Sequence, residues 1–196
     1  MGWTIRPDGS LMDISGNTVR RWLRELGPFG AETCRFARKL GNRSPSSERL
    51  FVLGTPDFEP WHFVAHLGEQ ATRYGRTDLV PTLMRWQVPA NAPAHLSVGV
   101  NNVTQASRRD TFLVITPGGE VPELLERVAD AKRVGSRIMS MHRDQTDLAD
   151  LSHEALSVDP SRDGRAFEIT QHVVTDAAPE EAGIGRSRRI RLIRHP

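Results

Sequence analysis

The stretch from residue 110 to residue 141 constrains the fold more than any other part of the sequence. It opens with an apolar, β-branched run (TFLVI, residues 111–115), and a Pro-Gly-Gly loop follows at residues 117–119. Apolar side chains then recur at helical spacing up to residue 134, and a second strand-like run follows. Strand, helix and strand in this order predict a parallel βαβ unit with a right-handed crossover. The loop after the first strand would then lie at the carboxyl edge of the sheet, where such folds bind ligands.

The same alternation continues on both sides of this unit. The segments with helical periodicity are residues 17–41 (broken at Gly27-Pro28), 61–74, 146–155 and 164–178, with Pro179 expected to end the last helix. The strand-like runs are residues 49–54 and 156–158, with a further candidate at 79–87. This order predicts an α/β protein, a three-layer αβα sandwich around a mainly parallel sheet of four or five strands.

Length and composition exclude several classes of protein. A chain of 196 residues suits one domain with a real core. No apolar run approaches the roughly 18 residues that a membrane span needs, and the first residues lack the apolar stretch of a signal peptide. Because Cys34 is the only cysteine, neither a disulfide framework nor a cysteine zinc motif is expected. The composition predicts a cytoplasmic protein.

The two ends of the chain differ from its middle. Residues 1–16 predict an irregular N-terminal arm, residues 17–178 the folded domain, and residues 179–196 a basic tail. The arginines of the tail are Arg186, Arg188, Arg189, Arg191 and Arg194. They would suit nucleic acid or an acidic protein partner. The favoured interpretation is a solvated arm, or an edge strand over 187–194 whose arginines deter aggregation. Nucleic-acid binding is therefore not expected.

Three motifs, in this order and spacing, resemble those of a known family. They are DTFLVITPGGEVPELL (residues 110–125), AKRVGSRIMSM (131–141) and LADLSHEALSV (148–158). Together with the helix that contains His62-Phe63, they resemble the sugar isomerase (SIS) domain, and in particular its phosphoheptose isomerase subgroup. The resemblance covers roughly residues 18–178. It implies a five-stranded parallel sheet between two layers of helices, and homo-oligomers that are often tetramers with active sites at subunit interfaces.

The resemblance also implies where a sugar phosphate would bind. Active relatives hold the phosphate in the loop that corresponds to residues 116–121, with serine or threonine hydroxyls and the N–H groups at a helix N-terminus. Helix N-termini favour anions because their amide donors are free and the helix dipole is positive there. The positions implied in this chain are Thr55, Thr116, Gly118, Gly119 and Glu120.

This chain departs from the family pattern in both loops of that site. Only Thr116 keeps a hydroxyl in the second loop, and Glu120 places a carboxylate where a phosphate would lie. Repulsion between the two at about 4 Å would cost roughly 4 kcal/mol at an effective dielectric constant of about 20. The first loop (residues 55–60) adds Asp57 and Glu59. We therefore expect a degenerate phosphosugar site.

The implied catalytic helices carry histidines in place of part of the family pattern. His62 matches the histidine that lines the site in phosphoheptose isomerases, but His66 stands where they have a glutamate. A histidine can shuttle the proton of an enediol mechanism, so His62 and His66 are the candidate catalytic residues. The relatives also have a glutamine and a histidine on the last helix, where the simplest register places Phe167 and Thr175 here.

A candidate metal site follows from two pairs of residues. His62 and His66 are one helical turn apart, and Glu168 and His172 repeat that spacing on the last helix. Residues at i and i+4 point the same way, and the family fold brings these two helices together. The four side chains could together hold zinc or another divalent metal. The favoured interpretation is a set of polar residues that cap helices or make hydrogen bonds at a subunit interface.

The sequence leaves three functions open. The favoured one is a non-catalytic regulatory or assembly subunit, which acts as a homo-oligomer or beside a related SIS protein or an acidic partner. The alternative is an active aldose–ketose isomerase of a sugar phosphate such as sedoheptulose 7-phosphate, with a metal as its only candidate cofactor. A third hypothesis is that Asp57, Glu59 and Glu120 line a site for a cationic or neutral ligand.

Overall fold

Five parallel strands form the central sheet of the computed structural model, in the order β4-β3-β5-β6-β7. The model describes residues 3–5, 11–13, 28–42, 49–93, 96–143, 146–159 and 165–190. The strands of the sheet are β3 (Leu50–Leu53), β4 (Pro81–Leu83), β5 (Thr111–Thr116), β6 (Arg137–Arg143) and β7 (Glu154–Val158). Two further strands, β1 (Trp3–Ile5) and β2 (Leu11–Asp13), pair as an antiparallel hairpin.

Within the described residues, five α-helices connect and cover these strands. They are α1 (Pro28–Gly41), α2 (Trp61–Arg73), α3 (Pro122–Arg133), α4 (Asp147–Leu151) and α5 (Arg165–Ile190), with 3₁₀ turns at Thr77–Leu79 and Val100–Gln105. Among the described helices, none is long and apolar enough to cross a lipid bilayer. The parallel sheet between two helical layers confirms the predicted three-layer α/β architecture.

The predicted βαβ unit is confirmed in β5, α3 and β6. All six residues of β5 are buried, as the apolar run indicates for a strand covered on both faces. α3 begins with Pro122 in its first turn, where proline costs no hydrogen bond, and it ends before Gly135, whose φ is +90°. In the pairing of β5 with β6, Thr116 lies opposite His142 at the carboxyl edge of the sheet.

The sheet separates two apolar cores. Leu113 and Ile115 of β5 face the layer formed by α1, α2 and α5. Phe112 and Val114 face α3 and α4. This alternation along one strand is the period-two pattern of a strand, and here both faces are apolar because each is covered by helices.

Several predicted element boundaries were wrong. The last helix does not end at Pro179 but runs through it to Ile190, so residues 187–190 are helical and form no edge strand. Packing of α5 on α1 explains this: Gly41 lies so close to the backbone oxygen of Ala178 that a Cβ would not fit, and this contact favours the helix over the break that proline promotes. Residues 191–196 of the predicted tail lie outside the described residues, as does 17–27 of the first predicted helix.

Three shorter segments also differ from the prediction. The helix expected over 146–155 is only α4, because β7 begins at Glu154 and pairs with β6. The strand expected over 79–87 is reduced to β4 (Pro81–Leu83), with the Thr77–Leu79 turn before it. The arm expected to be irregular contains β1 and β2. In the first two segments the local pattern indicated the right type of element, and strand pairing fixed where that element begins and ends.

A buried carboxylate fixes the amino edge of the sheet. Asp110 immediately precedes β5 and is fully buried. It accepts hydrogen bonds from the backbone N–H groups of Arg49 and Ser107 and from the Arg49 guanidinium, at 2.7–3.2 Å. Burial alone would raise the pKa of Asp110, but these bonds and the charge of Arg49 hold it below its ordinary value of 3.8. The carboxylate therefore stabilises the fold in its charged form.

Replacing Asp110 by asparagine should lower the free energy of unfolding at neutral pH by about 2 kcal/mol, because charge-assisted hydrogen bonds are lost. The folded-state pKa is depressed, so the stabilisation is present above pH 3.8 and is lost as the pH falls through the lower, folded-state value. Urea denaturation at neutral pH and at about pH 3 measures the free energy of unfolding of both proteins. The difference in this free energy between the wild type and Asp110→Asn should be smaller at the acidic pH. Asp130→Asn, on a partly exposed ion pair of α3, is the control and should cost less than about 1 kcal/mol.

Gly54 allows the loop after β3 to fold back on the strand. A Cβ at this position would overlap the backbone oxygen of Phe58, and Phe58 N–H donates to Thr55 O at 3.1 Å to close the turn. We expect Gly54→Ala to destabilise the protein by about 3 kcal/mol, since backbone atoms must move. Gly68 lies inside α2, where a Cβ would meet only Pro81 Cδ at an ordinary contact distance of 3.8 Å, so Gly68→Ala should instead raise the free energy of unfolding by up to about 1 kcal/mol. Thermal unfolding of both variants tests this, and equal stability would contradict it.

Candidate functional site

Three histidines meet where α2 lies against α5. His62 and His66 are one turn apart on α2 and therefore project from the same side of the helix. His172, on α5, faces them with its Nε2 atom 3.1 Å from Nε2 of His62. One nitrogen from each of the three rings lies within 4.8 Å of the others. The structure thus brings together three of the four predicted metal ligands.

The fourth predicted ligand lies elsewhere. Glu168 is exposed and is not part of the group whose ligand atoms converge. Phe167 and Thr175, the positions suggested by the simplest register, are both buried in the same helix. Spacing alone correctly paired His62 with His66 but could not decide which face of α5 would meet them.

The surroundings keep two of the three imidazoles neutral. Burial, and then the nearby His62 and His66, lower the pKa of His172 to about 4. Burial and His62 also lower the pKa of His66, against a smaller opposite effect of the Glu69 charge. Both side chains are therefore weak bases at neutral pH. A neutral imidazole is, however, the form that binds a metal ion.

The chemistry of this donor set fits a divalent transition metal. Three imidazole nitrogens suit zinc, copper, nickel or iron, and three protein ligands leave a coordination position open, as in catalytic zinc sites. His62 is exposed, so the group is open to solvent on one side. The alternative arrangement is a plain hydrogen bond between one protonated and one unprotonated Nε2 of His62 and His172, with no ion.

A second polar contact lies one helical turn further along both helices. Gln70 Nε2 donates to Asp176 Oδ1 at 2.8 Å, and both residues follow a histidine of the cluster by four positions. Gln70 is buried, and it adds a second polar contact to a helix–helix interface whose other buried side chains include apolar residues of both helices. This hydrogen bond fixes the alignment of α2 and α5 and so helps to hold the histidines opposite each other.

The loop after β5 has lost most features of a phosphate site. Glu120 turns towards α4, where its two carboxylate oxygens accept the N–H groups of Asp147 and Leu148 at 3.0 Å each. Gly118 and Gly119 border open space. Thr116 is fully buried, and within the described residues its hydroxyl oxygen has no hydrogen-bond partner. Glu120 therefore caps α4, and the loop offers a ligand at most one hydroxyl.

The loop after β3 is also engaged with its own neighbours. Thr55 is buried in the turn that closes on Phe58, and Asp57 is exposed. Glu59 accepts the indole N–H of Trp61 at 2.7 Å and binds the Arg85 side chain. Because Glu59 and Glu120 are each held by different partners, the structure does not bring the three predicted carboxylates together into one site. The sequence analysis missed Trp61 and Arg85 because an exposed tryptophan and an isolated arginine form no motif.

The comparisons with sequences return nothing for this chain. No protein-family model matches it, and no curated protein matches it. The comparison with solved structures does find similar folds, and those described below share 12% sequence identity with this chain.

Three similar structures illustrate the likeness. NanR of Vibrio vulnificus, solved in complex with ManNAc-6P, has 12% identity and a TM-score of 0.56 over 91% of this chain and 68% of its own. The sugar isomerase domain of an RpiR transcription factor from Sphaerobacter thermophilus has 12% identity and a TM-score of 0.52, over 90% of this chain and 93% of that domain's chain. The protein MJ1247 of Methanococcus jannaschii, for which a function of 3-hexulose-6-phosphate isomerase was inferred, has 12% identity and a TM-score of 0.54, over 92% and 94%.

These likenesses bear on the fold and leave the finer predictions open. The predicted resemblance to the phosphoheptose isomerase subgroup stays a prediction. The strand order, the helical layers and the structural neighbours agree. The chain has the fold of the sugar isomerase (SIS) domain.

Proposed function

We propose that the protein is a metal-dependent aldose–ketose isomerase of a sugar phosphate. The observation that carries the proposal is the convergence of His62, His66 and His172 from two helices, with ligand atoms within 4.8 Å of one another. A histidine cluster in which burial keeps His66 and His172 neutral is costly to place in a helix contact, and apart from the contact of His62 with His172 it has no evident structural purpose. Metal binding gives it one.

The similar structures support the substrate class. NanR was solved with a sugar phosphate, and the function inferred for MJ1247 is the isomerisation of another. The nature of the sugar, the homo-oligomeric assembly and the cytoplasmic location remain predictions from the sequence.

Aldose–ketose isomerisation moves a proton between two neighbouring carbons and needs a polarised carbonyl oxygen. A divalent ion at the three histidines would supply that polarisation as a Lewis acid. His66 and His172 hold their neutral form through burial, and the exposed His62 marks the side from which a ligand approaches. If isomerisation proceeds in metal-free protein, His62 is instead the base, oriented by the Nε2 of His172.

Protein prepared without a histidine tag should bind one zinc ion per chain in isothermal titration calorimetry. His172→Ala should weaken zinc by more than about tenfold, because even the loss of an outer-shell partner costs that much. His153→Ala is the matched control: His153 is exposed, contacts the backbone of β6, and lies outside the cluster. Sub-stoichiometric zinc in the wild type, or equal affinity in both variants, would contradict the metal site.

A regulatory or assembly subunit without catalysis is the second candidate function. The loop after β5 favours it, because Glu120 is committed to α4 and the loop keeps a single hydroxyl. One structural neighbour, the RpiR protein, is itself a transcription factor. Proton NMR of sedoheptulose 7-phosphate with the zinc-loaded protein separates the two functions. New aldose phosphate signals would support the isomerase, and unchanged spectra would support the subunit.

Thr116→Val tests whether the loop still serves a ligand. The buried hydroxyl of Thr116 has no partner among the described residues, so its replacement by a methyl group should raise the free energy of unfolding by about 1 kcal/mol. A sugar phosphate that uses this hydroxyl should bind the variant more weakly, whereas a subunit without a phosphosugar site should show only the gain in stability. Denaturation with and without sedoheptulose 7-phosphate gives both results, and a loss of stability without ligand would contradict the assignment of an unpaired hydroxyl.

A further inference from the structure

We infer that Arg85 is the receptor for the phosphate group of the ligand. It would replace the hydroxyl-rich loop that this chain lacks after β5. The inference rests on the proposed function, since it names how the substrate of that site is recognised. It concerns a phosphomonoester of a small molecule, and it places the anion at the carboxyl end of β4, beside the loop after β3.

The backbone holds Arg85 firmly at this place. Arg85 lies two residues beyond β4, its N–H donates to Val98 O at 2.9 Å, and its carbonyl accepts the Val100 N–H at 2.9 Å. β4 neighbours β3 in the sheet, so the ends of both strands and the first turn of α2 share one edge. The position is therefore set by the fold and does not depend on a free loop.

Two partners orient the side chain. The Nε atom of Arg85 lies 3.2 Å from Glu59 Oε2 and 3.3 Å from Oε1, and the guanidinium carbon lies 5.0 Å from the centre of the Trp61 ring. Glu59 is in turn held by the indole N–H of Trp61 at 2.7 Å. The three residues form a closed triangle. The guanidinium plane is thus fixed before any ligand arrives, which lowers the entropy lost on binding.

The free end of the guanidinium is suited to an anion. Glu59 contacts only the Nε side, and in the described part of the chain neither terminal nitrogen of Arg85 takes part in a hydrogen bond. These two nitrogens carry four N–H donors in the planar fork that matches two phosphate oxygens. Glu59 adds a negative charge on the opposite side, so an anion must approach from the terminal nitrogens.

The position also suits the histidine cluster. Trp61, on which the guanidinium is stacked, directly precedes His62 in the first turn of α2. Trp61 is 38% exposed, so its ring and the guanidinium stacked on it lie at the surface beside the first turn of α2. A ligand held by the Arg85 fork would lie on the side of α2 where the exposed His62 begins the cluster. The phosphate would anchor the substrate, and the histidines would face its reacting carbons.

The test is a ³¹P NMR titration of N-acetylmannosamine 6-phosphate, and separately of inorganic phosphate, with the full chain. Each titration is done with chelator-treated and with zinc-loaded protein. We expect saturable line broadening by the wild type, and a loss of affinity of at least about tenfold in Arg85→Ala. Arg133→Ala, at an exposed arginine of α3 that pairs with Asp130, is the control and should bind as the wild type does.

Arg85→Lys is a second variant that keeps the test valid if Arg85→Ala does not fold. It keeps a positive charge beside Glu59 but loses the fork, so its affinity should lie between those of the wild type and the alanine variant. Equal binding by all three proteins, or no broadening by the wild type, would overturn the role of Arg85. Zinc binding is measured separately, so a protein that binds zinc but no phosphate refutes this inference alone. A protein that binds phosphate through Arg85 but no zinc refutes the metal site alone.

Discussion

The structure depends on the burial of β5 on both faces. A parallel strand cannot return to its neighbour without a crossover, and each crossover places a helix on one face of the sheet. The six buried residues of β5 therefore require helices on both sides, and these are provided by α1, α2 and α5 on one face and by α3 and α4 on the other. Every loop that leaves the carboxyl ends of β3, β4, β5 and β6 then meets at one edge. The candidate site follows from that geometry and not from any single motif.

The contact between α2 and α5 is the most informative part of the molecule because it is polar where the rest of its core is apolar. Two imidazoles there are kept neutral by burial, and one ring nitrogen of each of the three histidines lies within 4.8 Å of the others. A contact selected for stability alone would replace them with leucine or valine. One turn away, Gln70 and Asp176 form a hydrogen bond with each other. The histidines are therefore the part of this contact that still offers nitrogen atoms as ligands for a metal ion.

The sequence predicted the features that depend on local pattern. The βαβ unit, the sheet between two helical layers and the pairing of His62 with His66 all follow from periods of two or of about four residues. It failed where a distant contact decided the outcome. Pro179 lies within α5 because of packing on α1. The position of Glu168 outside the histidine cluster, the capping of α4 by Glu120 and the triangle of Glu59, Trp61 and Arg85 each depend on contacts between different elements, and no spacing rule predicts them.

Glu120 in the loop after β5 and Glu59 in the loop after β3 bind different partners. This difference supports the proposed anion site at Arg85. Glu120 accepts the N–H groups of Asp147 and Leu148, so its carboxylate serves α4 and adds no anion-binding donor to the loop after β5. Glu59 accepts a hydrogen bond only from Nε of Arg85, and in the described residues the two terminal nitrogens of the guanidinium make none. The orientation observed here keeps the two terminal nitrogens of Arg85 available beside Trp61, the residue that directly precedes His62.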